Sequence, residues 1–214
     1  MSIGIIGSGA LGGGFARALA LKNIPALISS QRGPDSLREV VVKTGPSIKP
    51  ASVSEAAQAD IVLIAVPWLK LSTALRDLPS WNNRIVIDAS NPVKILTADS
   101  PEAKDPSNPL ASYLLEAIDL QGEVSSVAVA KLVPGARVVK AFNHLEAALL
   151  ADPKTAVGPR VMFYCGDEPN AKAEVARLIK NLDLFGVDLG SLAAGGRLTQ
   201  FPFGPLSAIN FIKA

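Results

Sequence analysis

Short aliphatic runs recur along the chain, each followed by a stretch in which apolar residues return every three or four positions. Ile3-Gly4-Ile5-Ile6 is apolar throughout and runs into glycine, the pattern of a strand buried on both faces. Residues 10–22 then carry Leu11, Phe15, Ala18 and Leu19 at helical spacing. The alternation continues to the end of the chain. Strands are predicted over 26–28, 61–66, 84–88, 137–142, 160–165 and 185–189, and helices over 35–43, 54–59, 124–132 and 168–182. Asp35 or Ser36 is placed to cap the second helix, and Ser52 precedes the third. Residues 97–109 hold three prolines and read as the one long loop, 110–119 as a helix after it, and 197–212 as a last helix interrupted by two prolines. Such alternation predicts an α/β fold, a single doubly wound domain over 1–214 with a mostly parallel sheet and helices on both faces.

Composition narrows the function classes. Of the 214 residues 49% are hydrophobic, enough for a globular core, so disorder is excluded. The formal net charge is only +2, which supplies no electrostatic case for nucleic acid or an anionic membrane. Cys165 and His144 are the sole cysteine and histidine, so no internal disulfide and no His/Cys zinc site is expected. The longest apolar run, 61–69, contains Pro67 and is far too short to span a bilayer. Met1-Ser2-Ile3 lacks the basic region of a signal peptide. These features predict a cytoplasmic protein without membrane or metal.

The first strand runs straight into Gly7-Ser8-Gly9-Ala10-Leu11-Gly12, a G-x-G-x-x-G that opens a helix. In that context the spacing has a mechanism, that of the Rossmann-type dinucleotide loop. Gly7 permits the tight turn, Gly9 lets a pyrophosphate approach the backbone, and Gly12 lets the helix lie close to the sheet. The helix N-terminus offers free N–H groups and partial positive charge to the phosphates. NAD sites carry an acidic residue at the end of the second strand. Here that position reads Ser29-Ser30-Gln31-Arg32, with no acid before Asp35. Hydroxyls and a guanidinium suit a 2′-phosphate, so the expected cofactor is NADP.

Three further strand ends carry unusual residues: Val66-Pro67-Trp68, Asp88-Ala89-Ser90-Asn91-Pro92 and Lys140-Ala141-Phe142-Asn143-His144. Ligands of doubly wound sheets sit beyond such ends. Pro67 and Pro92 can equally well serve only to stop strands. Asn143, with Glu146 three residues later, reads better as a helix cap than as a catalytic group. A lone His144 beside a helix start is not expected to act as acid or base.

Taken in order, the glycine loop, the Ser-Gln-Arg turn, Ala65-Val66-Pro67-Trp68, Asp88-Ala89-Ser90-Asn91-Pro92, Lys140-Ala141-Phe142-Asn143 and Asp188-Leu189-Gly190-Ser191-Leu192 resemble the deazaflavin-dependent NADP oxidoreductases. Members of that family pass hydride between NADPH and the 5-deazaflavin coenzyme F420. The resemblance implies that Gly9, Ala10, Leu11 and Gly12, with Gly7 and Ser8, contact the pyrophosphate, and Ser30 with Arg32 the 2′-phosphate. It implies that Val66, Pro67, Trp68, Asn91, Pro92 and Ala141 line the path from adenosine to nicotinamide. Two departures stand out. Gln31 intervenes between Ser30 and Arg32, and Gly195-Gly196-Arg197 with Phe201-Pro202-Phe203-Gly204-Pro205 resembles a bacterial branch whose acceptor need not be the deazaflavin.

Hydride transfer between two ring systems leaves the hard chemistry to the cofactors, and no catalytic side chain is expected. The partner is a small-molecule electron acceptor, a 5-deazaflavin coenzyme or a flavin as second substrate. A homodimer is compatible with this reading, and the residues do not determine the oligomeric state. A ferric or flavin reductase is an alternative, as is a carbonyl reductase, whose only proton-donor candidates are Tyr113, Tyr164, Lys140 and His144. A non-catalytic NADP-binding sensor is the rival from another class.

Overall fold

Ile3, Ile5 and Ile6 are buried on both sides of strand β1 (Ile3–Ile6), as a central parallel strand requires. The computed structural model describes residues 1–153 and 155–214. Its main sheet has eight strands. On one side of β1 lie β2 (Ala26–Ser29) and then β3 (Ile48–Ala51). On the other follow β4 (Ile61–Ile64), β5 (Ile85–Asp88), β8 (Arg137–Ala141), β9 (Val161–Gly166) and β10 (Phe185–Asp188). Neighbours pair in parallel except β8 with β9. Strand order therefore reverses direction at β1, with β2 on one flank and β4 on the other. That is the switch point at which the carboxyl ends of an open α/β sheet leave a crevice.

The strand side chains alternate between two cores. Ile5, Leu63, Ile87 and Val139 point to one face and pack under α1 (Ala10–Leu21), α6 (Ala147–Ala151) and α7 (Pro169–Asn181), through Phe15, Leu150 and Val175. Ile6, Val62, Ile64, Val86 and Val138 point to the other. They meet α3 (Val53–Ala56), α4 (Leu71–Leu75), α5 (Ser125–Leu132) and α8 (Leu192–Thr199), through Ala56, Leu71, Val129 and Leu192. Ser52 caps α3 in a reciprocal pair with Glu55, and Glu168 caps α7 by accepting from the Ala171 N–H. The fold class is the doubly wound, mostly parallel α/β sheet that the pattern predicts.

Several elements differ from expectation. Residues 110–119 are not a helix. They form a turn at Ala111–Tyr113, a left-handed Leu114 at φ 55°, and strand β7 (Leu115–Ala117). This strand pairs antiparallel with β6 (Val93–Ile95), and Lys94 sits between Glu102 at 2.7 Å and its cross-strand partner Glu116 at 3.1 Å. Asn108 holds the turn from inside, its amide donating to the Leu115 carbonyl at 2.8 Å. Strand β3 and helices α2 (Arg38–Thr44) and α4 frame the same sheet, and β3 escaped the sequence pattern because Pro50 lies in it. At the sheet edge that missing N–H costs nothing. The last helix begins and ends earlier than predicted, at 192–199. Ser191 caps it, and Gly195 and Gly196 let it lie against Cys165 and Ser126. Asn143 is not a helix cap: α6 starts from Glu146, and the Asn143 amide reaches across the sheet end instead.

Candidate functional site

A cleft of about 550 Å³ opens at the carboxyl ends of β1, β2, β4 and β5. Gly7, Ser8, Gly9, Ala10 and Leu11 form its floor, Ser30 and Arg32 one end, Val66, Pro67 and Trp68 a side, and Asn91 the far end. Eleven residues singled out from the sequence thus meet in one crevice, although they come from four separate strand ends. Gly12, Pro92 and Ala141 do not line it. Gly12 lies beneath the loop, where an added Cβ would stand 1.9 Å from the Gly7 carbonyl oxygen. Pro92 faces a neighbouring cavity, and Ala141 is fully buried at the end of β8.

The floor is built for close approach. Gly7 holds φ +109°, and a Cβ there would meet the Ala65 carbonyl oxygen at 2.2 Å, so the turn admits only glycine. Gly9 is different, since a Cβ placed on it meets nothing within 4 Å. Its open side is the cleft. Gly9 is also the N-cap of α1 and supplies no side-chain acceptor, which leaves the first N–H groups of a 12-residue helix available to an anion. An uncapped helix start over an unfilled glycine face fits a pyrophosphate.

At the β2 end, Ser29 is turned away, buried and donating to the Ile5 carbonyl at 2.8 Å. Ser30 accepts from the Arg32 N–H at 3.2 Å, which folds the turn and brings the Arg32 side chain to the cleft mouth. That guanidinium makes no hydrogen bond or ion pair among the described residues. Arg38 pairs with Asp35 at 3.3 Å and lies outside the cleft. Gln31, from the same turn, lines the crevice as well, and so do Lys70, Val93 and Ile95, which were not expected there. Lys70 ends a short turn, Trp68–Lys70, that Pro67 starts, and only the fold carries it to the site.

The β5 end is held by side chains from distant segments. Asp88 and Lys140, both fully buried, pair at 2.9 Å. The other Asp88 oxygen accepts from the N–H and hydroxyl of Ser90 at 2.9 and 2.6 Å, while Lys140 also donates to the Ser90 carbonyl at 2.9 Å. Asn91 and Asn143 bond reciprocally: the Asn91 amide donates to the Asn143 carbonyl at 2.8 Å, and the Asn143 amide to Asn91 Oδ1 at 3.0 Å. Phe142, at φ +65°, turns its ring down against Phe15 at a centroid distance of 5.0 Å and so releases Asn143 toward Asn91. His144 is buried and accepts from the Phe163 N–H at Nε2, and burial pushes its pKa down to about 4. Burial likewise pushes the Cys165 thiol up to about 12. Neither lines the cleft, nor do Tyr113, Tyr164 and Lys140.

Among the described residues no helix is long and apolar enough to cross a membrane. Residues 2–92 match the family model described as NADP oxidoreductase, coenzyme F420-dependent. A solved structure of a hypothetical protein from Sinorhizobium meliloti is 40% identical, covers 100% of this chain and 97% of its own, and superposes with a TM-score of 0.87. A candidate F420-dependent NADP reductase from Arthrobacter sp. FB24 shares the fold at 24% identity and TM-score 0.72, over 90% of this chain and 86% of that one. Metalloreductase STEAP3 of Rattus norvegicus is 27% identical over 94% of this chain, which spans only 36% of that relative's length. Over residues 2–92 the chain resembles the NADP oxidoreductases described as coenzyme F420-dependent, and a 40% identical relative shares its fold along the whole chain.

Proposed function

We propose that the protein transfers hydride between NADP(H) and a flavin-like acceptor, with the 5-deazaflavin coenzyme F420 as the acceptor that the matched family description favours. The observation that carries this reading is the cleft itself. A guanidinium without a partner among the described residues marks one end, an uncapped helix start over bare glycine the middle, and a wall of buried hydrogen bonds the other end. In this reading Gly7, Ser8, Gly9, Ala10 and Leu11 cradle the pyrophosphate while Gly12 supports the loop from below. Ser30 and Arg32 take the 2′-phosphate. Val66, Pro67, Trp68 and Asn91 guide the nicotinamide half, with Pro92 and Ala141 shaping that end from behind.

NADPH, when bound, supplies two electrons and one proton as hydride from its nicotinamide; the acceptor gains that hydride plus a proton from water, leaving NADP+ and the reduced acceptor. The chain's part is orientation and exclusion of water. Asp88 and Lys140 hold the backbone of Ser90, Asn143 holds the side chain of Asn91, and Trp68 with Val66 gives the ring an apolar side. None of the four proton-donor candidates that a carbonyl reductase would need lines the cleft, which weakens that alternative.

Ferric reduction is the second reading, favoured by the 27% identical metalloreductases. Purified protein assayed with NADPH against coenzyme F420, FMN and a ferric chelate separates the readings. Turnover with F420 or FMN supports the proposal. Turnover with the ferric chelate alone favours the metalloreductase reading, and tight NADPH binding without turnover on any acceptor favours a sensor.

A further inference from the structure

The side-chain amide of Asn91 cannot turn over. Asn91 is half-buried at the far end of the cleft. Its Oδ1 accepts from the Asn143 amide at 3.0 Å and from the Phe201 N–H at 3.1 Å, which fills both lone pairs. Its Nδ2 donates to the Asn143 carbonyl at 2.8 Å. Reversed, Nδ2 would face two N–H donors and Oδ1 would face a carbonyl oxygen. Among the described residues, the hydrogen-bonding capacity left to this side chain is the second hydrogen on Nδ2. Asn91 therefore offers the cleft a donor of fixed orientation and not an acceptor.

Asn143 is held in place for this against the interest of the fold. Phe142 before it adopts φ +65°, a backbone state that a bulky side chain rarely takes and that clusters at functional sites. The Asn143 amide uses its hydrogens on Asn91 Oδ1 and on the Thr199 carbonyl at 2.8 Å. Its own Oδ1 is buried with no partner among the described residues, a defect that folded proteins rarely tolerate. Neither feature serves the following helix, which starts from Glu146. An apolar residue would fill the same space without an orphaned oxygen, and would leave Asn91 Oδ1 short of a donor.

We infer that the free Asn91 N–H donates to the carboxamide oxygen of the nicotinamide, and that Asn143 is the positioning residue that keeps it donating. The placement follows from the cleft. With the 2′-phosphate at Arg32 and the pyrophosphate over Gly9, the nicotinamide lies toward Asn91, at the end opposite Arg32. The site then reads the carbonyl oxygen of the carboxamide and is indifferent to its NH2 group. A carboxamide held by its oxygen sets how the ring is turned, and so which face of the ring meets the acceptor. The inference rests on the proposed use of NADP(H), and binding alone tests it.

Three nucleotides are the probes, each titrated into the full chain by calorimetry. NADPH carries the whole carboxamide, its reduced 3-acetylpyridine analogue keeps the carbonyl oxygen but has methyl for NH2, and 2′-phospho-ADP-ribose lacks the ring. The wild type should bind the analogue within about twofold of NADPH. Asn91→Asp keeps the shape but turns an oxygen to the cleft. It should bind the analogue about three- to tenfold more weakly than NADPH, which can rotate its carboxamide to offer NH2. Asn143→Asp sets an oxygen against Asn91 Oδ1 and drives that amide out of place. It should weaken NADPH and the analogue about three- to tenfold and leave 2′-phospho-ADP-ribose unchanged. A merely structural role would weaken all three alike, and that result overturns the inference. So does a wild type that rejects the analogue, or an Asn91→Asp variant that binds the analogue as well as NADPH. Asn91→Asp decides the donor even if Asn143→Asp does not fold. The expected ratios without NADPH turnover on F420, FMN or a ferric chelate would sink the hydride-transfer reading and leave the donor standing. Turnover on F420 or FMN with ratios unmoved by either variant would do the reverse, and a wild type that binds no NADPH would end both.

Discussion

The two ends of the cleft are built by different means. At the glycine end, residues 7–12 and 30–32 follow directly from β1 and β2, and the cleft surface is mostly backbone: a bare glycine, an uncapped helix start and one short turn. At the β5 end the surface is held by side chains. Lys140 reaches Asp88 across 52 residues of chain, Asn143 reaches Asn91 across 52, and the Phe201 N–H reaches Asn91 across 110. The first end is made by local sterics: Gly7 and Gly12 are pressed against backbone, and Gly9 keeps an open side that faces the cleft. The second is made by buried polar groups that find their partners only once several strands are in place. Affinity for the dinucleotide should therefore be separable from stability at the first end and inseparable from it at the second.

The sharpest way to break that contrast is Lys140→Met. It leaves the Asp88 carboxylate buried without its cation, a defect that costs about 3–5 kcal/mol. For a chain of this size that corresponds to a fall in Tm of about 6–20 °C by calorimetry. An unchanged Tm would mean that the buried pair does not hold the β5 end. Gly9→Val is the opposite experiment. Gly9 has φ −70°, and its Cβ direction is empty, so the fold should survive with Tm shifted by no more than about 2 °C. NADPH binding, followed by nucleotide fluorescence, should be lost, because the new side chain occupies the space of the pyrophosphate. Undiminished affinity would remove the glycine loop from the site.

Arg32→Ala is the smallest expected change and sharpens the comparison within the first end. Hydrogen bonds to charged groups are worth about 1.5–3 kcal/mol, so NADPH affinity should fall about tenfold to a hundredfold. NADH, which lacks the 2′-phosphate, should bind as before, and Tm should not move, because the side chain is exposed and bonds to none of the described residues. The loss should shrink as salt rises. Equal losses for both nucleotides would assign Arg32 to the turn and not to the phosphate, and Lys70, which also lines the cleft, would be the next candidate.

What could be read from residues alone was whatever depends on near neighbours. Strand-to-glycine-to-helix at 3–12, the missing acid after β2, the two-face burial of the aliphatic runs and the alternation that makes the sheet parallel are all consequences of sterics and periodicity over a few positions. Ser29 shows the limit even there, since adjacent hydroxyls looked equivalent until the strand pairing turned one toward the Ile5 carbonyl. The tertiary structure decided the rest. It placed Pro50 at a sheet edge where a strand can bear it, and paired Lys94 with Glu116 in a hairpin where helical spacing had suggested a helix. It made Asn143 a cross-sheet donor, and it set the 197–203 turn against Asn91 to enclose a second cavity. Each of these rests on one segment's hydrogen-bonding capacity meeting another's from 20 to 110 positions away. Such pairings have no local signature, because the free energy that selects them exists only once the sheet has brought the partners together.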